Sequence, residues 1–268
     1  MAVFHKGIFL NELYRSRKTL LVNSIVLALL MAVFAGFSDM VTREDFVSLL
    51  KTYPQSLLEA FNIDPDIMGT FEGWMAGEAY VMYVLILGIV AAMMGSSTVA
   101  KEVDQHTSEA VFTLPVSRKA VFLSKAASHL MVITVSALLS TAASLITGFA
   151  VAHVAYPGRV ALMFAGGYLV SLAFAGVGYA ATSFLDSDRT AMSLSIGFVL
   201  ISFTLNAFSG MSESIRWVAN GSLFHLLDVT VIARGDSFPA VGALVSALIY
   251  LAGLFGGMLV FSKRDIAA

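Results

Sequence analysis

Residues 79–100 read AYVMYVLILGIVAAMMGSSTVA, a run without a single Asp, Glu, Lys or Arg. A helix rises about 1.5 Å per residue, so roughly 20 apolar residues cross a hydrocarbon core about 30 Å thick. Lipid offers no partner to backbone N–H and C=O groups, so such a run must be a helix that satisfies them internally. Five further charge-free runs occupy residues 19–37, 126–158, 160–185, 190–212 and 237–262. The pattern predicts an all-α integral membrane protein with six transmembrane helices.

Composition points the same way. The chain is 58% hydrophobic and only 13% charged, against about 25% charged in ordinary soluble domains. Spans fill most of its 268 residues, so residues 1–268 read as a single six-span domain without space for a separate soluble one. A net charge of −2 and the lack of a basic stripe leave nucleic-acid binding without an electrostatic footing. The absence of cysteine excludes disulfides and thiol chemistry. The first apolar run follows Lys6, Arg15, Arg17 and Lys18 and precedes an acidic loop, so it reads as a retained span rather than a cleaved signal.

Orientation follows from the bias of Lys and Arg toward cytoplasmic loops. An even number of spans puts both termini on one side, with Lys6, Arg15, Arg17, Lys18, Lys101, Arg118, Lys119, Lys125, Arg189, Lys263 and Arg264. The other side holds Arg43, Lys51, Arg159, Arg216 and Arg234 over longer loops. The expectation is a multi-pass protein of the cell membrane with cytoplasmic termini.

The connections carry pattern of their own. Phe4, Ile8 and Leu13 fall near one face of a weakly amphipathic stretch, which predicts an N-terminal helix lying on the inner surface before the first span turns in. In the first outer loop, Phe46, Leu49, Leu50 and Tyr53 have helical spacing, and Pro54 can open a second short helix with Leu57, Leu58 and Phe61. Asp64, Asp66 and Glu72 fit no calcium-loop spacing and read as solvated acids rather than a cation site. Residues 213–236 are half apolar but too short and charged to span, and are expected to form short helices covered by the bundle.

Catalytic constellations are missing. There is no Gly-x-x-x-x-Gly-Lys-Ser/Thr loop to cradle phosphates and no His-Glu-x-x-His zinc motif. His129 and His153 lie near opposite ends of the third run, as ordinary interfacial histidines do. Ser202, Thr204, Asn206 and Ser209 make the fifth run the most polar, and Ser202, Asn206 and Ser209 are the candidates for lining a pathway. Spans nearly empty of ionisable groups argue against an ion-coupled transporter or channel, the principal alternative reading. The small-residue pairs Gly88 with Ala92, Ala91 with Gly95, Gly176 with Ala180 and Gly253 with Gly257 should pack spans closely.

The most informative soluble piece is residues 101–125, beginning KEVDQHTSEAVFTLPVSRK. The residue before a proline avoids the α region, so Pro115 punctuates it. Ser117 can then cap a short helix through Lys125, with Phe122 available for docking. This segment resembles the type-2 permeases of ABC transporters, in which a Glu is followed five residues later by Thr, then Glu, an apolar cluster, and Pro-Val-Ser-Arg before a Lys. The matching positions are Glu102, Thr107, Glu109, Leu114, Pro115, Val116, Ser117, Arg118 and Lys125, whereas His106 stands where the family usually has Gly. Arg15, Arg17 and Lys18 before the first run, Tyr53-Pro54, the stretch from Ser222 through Asp228 to Arg234-Gly235, and the closing Phe261-x-x-Arg264-Asp265-Ile266 extend the resemblance over the chain.

The resemblance implies a half-transporter without catalytic or metal-binding residues. Two six-span permeases, identical or not, would rest on separate cytoplasmic ABC ATPase subunits that hold ATP and Mg. Glu102, Thr107, Glu109, Pro115, Val116, Ser117, Arg118, Phe122 and Lys125 would form the coupling element. Spans one and five would face the partner across a pathway, and export is the usual direction.

Overall fold

The computed structural model describes residues 4–54, 57–58, 65–104, 116–185, 187–209 and 213–263. Among the described residues every regular element is helical: α1 (Lys6–Val41), α2 (Glu44–Leu50), α3 (Pro65–Met68), α4 (Phe71–Trp74), α5 (Tyr80–Asp104), α6 (Arg118–Val151), α7 (Pro157–Phe184), α8 (Asp188–Ser209), α9 (Val229–Arg234) and α10 (Ala240–Lys263). A π-turn, Met75–Ala79, joins α4 to α5, and two 3₁₀ pieces, Glu213–Gly221 and Leu223–Leu226, follow α8. Six helices are long and apolar enough to cross a membrane: α1, Phe71–Thr98, α6, α7, α8 and α10. The six charge-free runs thus each become one crossing helix.

Two boundaries differ from expectation. The N-terminal segment is helical, but from Lys6 it runs straight on into the first span as one helix of 36 residues rather than lying as a separate element. Nothing between Ile8 and Thr19 breaks it: the stretch holds no Gly or Pro. Its length of about 54 Å exceeds the hydrocarbon core, so a foot carrying Glu12, Arg15, Arg17 and Lys18 projects below the charge-free part. The short helix expected through Lys125 is likewise the opening of a 34-residue helix, α6. Its start is where the sequence placed it, with Ser117 extended at φ −66°, ψ 145° and its Oγ accepting from Ala120 N at 3.2 Å.

α1 and α6 run parallel and touch along their length. His5 N donates to Ser124 Oγ at 2.8 Å, Ser24 and Ser136 share a hydroxyl–hydroxyl bond of 2.9 Å, and Gly36 lies opposite the Thr147 methyl. The centre of the bundle is α5 against α7. Their most apolar windows are 61% and 67% buried, against 22–33% for the other four spanning helices. Glycines permit this approach: a Cβ on Gly178 would collide with the Ala92 carbonyl, and one on Gly253 of α10 with the Gly176 carbonyl of α7. The small-residue pairs therefore serve packing within the chain.

The face remote from the termini is built from short pieces. Thr70 Oγ1 accepts from Gly73 N at 3.0 Å to start α4, and Trp74 Nε1 donates to the Phe34 carbonyl of α1 at 2.7 Å. Gly77, with ψ −127°, breaks the helical path inside the π-turn. Glu72, expected in solvent, is only 2% exposed, and its Oε1 accepts from Tyr156 N at 2.6 Å. Its carboxylate thus holds the α6–α7 turn against the start of the second span. Asp64 lies outside the described residues, and so does the helix expected from Pro54 except for turns made by Leu57 N and Leu58 N to the Pro54 carbonyl. Residues 213–236 form short helices as expected, with Phe224, Leu227, Val229 and Ile232 buried. Asp228 caps α9 and Gly235, at φ 93°, ends it.

Candidate functional site at the termini-side junction

The ends of α1, α5, α6, α7 and α10 near the termini converge on a buried polar cluster. It starts from helical spacing: Lys125 and His129 are one turn apart on α6 and so share a face. That face meets the foot of α1, where Glu12 lies between them. Glu12 Oε1 is 3.5 Å from His129 Nε2, and Glu12 Oε2 is 3.9 Å from Lys125 Nζ. The side chains are 15%, 2% and 6% exposed for Glu12, His129 and Lys125. Lys125 Nζ also donates to the Thr98 carbonyl of α5 at 2.9 Å. On the far side of the imidazole, Tyr179 Oη of α7 is 3.4 Å from His129 Nδ1, with the two rings stacked at 11°.

A buried carboxylate normally titrates upward, because desolvation disfavours its charge. At Glu12 that effect is outweighed by the hydrogen bond to His129 and by the charges of Lys125, His129 and Arg15, which hold its pKa at about 2. A folded value below the ordinary 4.5 means that Glu12 contributes stability above that pH and loses the contribution as pH falls toward 2. Glu12→Gln should therefore unfold at lower SDS fraction than the parent at pH 7. The gap should narrow when both are measured at pH 3; a gap of equal size at both pH values would contradict this.

The coupling residues named from sequence divide sharply. Val116, Ser117 and Arg118 are half-buried where α6 begins, and Lys119 is exposed. Phe122 is not available for docking: it is fully buried, with ring centroids 5.7 Å from Tyr179 and 6.0 Å from Phe261. Lys125 is turned inward too, onto Glu12 and Thr98. The reason is geometric: Phe122, Lys125 and His129 recur at three- and four-residue intervals, the stripe that α6 presents to its neighbours. Glu102 lies in the last turns of α5, while Thr107, Glu109, Leu114 and Pro115 fall outside the described residues.

Sequence reading did not find Glu12 and treated His129 as ordinary. The available signal was the Lys125–His129 spacing together with the lone acid in an otherwise basic foot.

Of the three pathway candidates, Ser202 is 1% exposed and its carbonyl accepts from Ser222 Oγ at 2.7 Å, so it packs within the chain. Asn206 and Ser209 are half-buried and bonded together, Ser209 Oγ to the Asn206 carbonyl at 2.7 Å. On the opposite face of the molecule a cavity of about 690 Å³ is lined by Glu72, His153, Tyr156, Arg159 and Arg234 among others. Arg159 there stacks on Tyr156 at 3.9 Å and donates to the Ala233 carbonyl at 3.1 Å. Among the described residues no group of three His, Asp or Glu side chains is placed to hold a metal ion.

The junction binds four helices through one ionic cluster, and it does so beside both ends of the 101–125 segment. Thr98 precedes that segment and Lys125 closes it. The arrangement ties both ends of that connection to α1 and α7 through buried polar contacts. Among curated proteins none matches the chain in sequence. The model of the ABC-2 family transporter proteins matches residues 1–266, essentially the full length, and the chain belongs to that family of membrane-embedded transport components.

Proposed function

We propose that this chain is the permease half of an ATP-driven exporter: a single six-span domain, residues 1–268, that pairs with a second permease subunit and rests on separate ABC ATPases. ATP and Mg belong to those ATPases. The termini and the 101–125 connection face the cytoplasm, in keeping with the distribution of Lys and Arg. Glu102, Thr107, Glu109, Pro115, Val116, Ser117 and Arg118 form the docking segment. Phe122 and Lys125 act beneath it, tying the segment to the bundle.

The observation that supports this reading best is the Glu12–Lys125–His129 junction. It makes the foot of α1 and the start of α6 one buried unit, so force delivered to the connection reaches the first span without crossing a soft contact. α1, which packs chiefly on α6, and α8, which packs chiefly on α5, are among the least covered spanning helices. Their open faces receive the partner permease, with Asn206 and Ser209 beside the pathway.

The test is purification of the tagged chain from its native membrane. The expected result is a co-purifying polypeptide with a phosphate-binding loop, two permeases per complex, and ATP hydrolysis only by the complex. Arg118→Glu reverses charge at the docking segment while leaving the Ser117 cap of α6 in place, so folding should survive while transport-coupled hydrolysis falls. Hydrolysis by the isolated chain, or unchanged coupling in both Glu102→Ala and Arg118→Glu, would overturn the proposal.

A further inference from the structure

α1 and α5 leave a groove of about 430 Å³ between them, lined by Lys18, Thr19, Val22, Asn23, Val26 and Val90. The five α1 residues form one stripe about 12 Å long, since helical neighbours recur three to four residues apart. The stripe is graded. Lys18 is the last cation before the charge-free run and stands at its mouth; Asn23 sits about 7 Å deeper; valines line the rest. Asn23 is only 6% exposed, yet its Nδ2 has no hydrogen-bond partner among the described residues. A buried amide donor left unmet is costly, so the groove calls for an acceptor at that depth. Val22 and Val26, 62% and 48% exposed, keep its flank open to the surrounding apolar phase.

We infer that this groove is a binding site for an anionic membrane phospholipid. The phosphate lies against Lys18 and accepts from Asn23 Nδ2, and an acyl chain runs along Val22, Val26 and Val90. The charge match is one-sided: the lining contains a cation and an amide but no acid. The nearest acid along the foot of α1, Glu12, is already taken up by His129 and Lys125. A neutral apolar molecule leaves both donors unanswered, a free anion leaves the valines uncovered, and the apolar face of a second copy supplies no acceptor. Basic pockets between spanning helices bind acidic headgroups in this way. The inference does not depend on the transport reading.

Native mass spectrometry of the full chain, released from nanodiscs of mixed phosphatidylglycerol and phosphatidylcholine, tests it. The parent should retain one lipid and prefer phosphatidylglycerol by about fivefold, the value of one basic residue at an acidic surface. Lys18→Gln should reduce that preference toward unity. Val26→Trp, which fills the groove from an exposed position, should lose both lipids. Arg17→Gln is the control, because Arg17 stacks on Tyr14 at 4.0 Å outside the groove and should leave the preference intact. Each variant should match the parent in circular dichroism and size-exclusion profile. Equal retention of the two lipids, a preference that survives Lys18→Gln or falls equally in Arg17→Gln, or displacement by glycerol phosphate alone would overturn the assignment. So would cross-linking of a Val22→Cys variant to a second copy that excludes lipid, which would make the groove a subunit interface.

Discussion

Lys125→Ala is expected to destabilise the protein by about 3 kcal/mol, the lower part of the range for removing one partner of a buried ion pair. The lower part applies because His129 still faces Glu12, whose side chain is 15% exposed. The loss has two sources. Glu12 keeps its charge in a site built around a cation, and the Thr98 carbonyl loses the ammonium that ties α5 to α6. Lys125→Met, which keeps the apolar stem, should lose nearly as much, showing that charge rather than volume matters. Glu12→Gln combined with Lys125→Met should recover part of the loss, since no unpaired charge remains buried. The measurement is a double-mutant cycle by SDS titration in detergent micelles. Strict additivity of the two substitutions would show that Glu12 and Lys125 do not interact.

Gly253→Leu should yield little or no folded protein, the largest effect expected of any single substitution here. The obstacle is backbone, not side chain. A Cβ at position 253 meets the carbonyl oxygen, carbon and Cα of Gly176, and a Cβ at 176 in turn meets Tyr250 Cα at 2.7 Å. Neither helix can yield locally, so α10 must move off α7, taking with it the Ser183 Oγ bond to the Gly257 carbonyl at 3.0 Å and the Phe261–Phe122 contact. Even Gly253→Ala should cost about 1–3 kcal/mol as overpacking. Gly256 supplies the comparison, because nothing lies within 4 Å of a Cβ placed there. Gly256→Ala should be neutral or gain up to about 1 kcal/mol in helix propensity. Folded yield after detergent extraction, read by size-exclusion chromatography, distinguishes the two positions; equal behaviour would refute the close α7–α10 approach.

The six spans were legible because lipid imposes one rule on every residue in turn, and a missing charge is visible without knowing any neighbour. The Ser117 cap was legible for the same reason: an N-cap is decided within four residues. What stayed hidden depended on distant segments meeting. Glu12 and His129 are far apart in the chain, and nothing near Glu12 announces that α6 will lie against it. Phe122 illustrates the opposite error, since a helical stripe of Phe122, Lys125 and His129 is plain in sequence but the face it meets is not. Glu72 looked like one acid of a loop until the α6–α7 turn folded over it. The joint between the N-terminal foot and the first span was missed because amphipathic pattern reports which side of a helix is apolar, not whether the helix bends.

That unbroken α1 has a mechanical consequence. Among its described residues there is no proline and no π-turn, unlike the approach to α5 through Gly77. A rod of about 54 Å pivoting near its middle converts a tilt of about 5° at the foot into a sweep of roughly 2 Å at the far end. About two turns short of that end, where the same tilt amounts to about 1.4 Å, the Phe34 carbonyl holds the Trp74 indole, so the mouth of the second span is hooked to whatever moves the foot of the first.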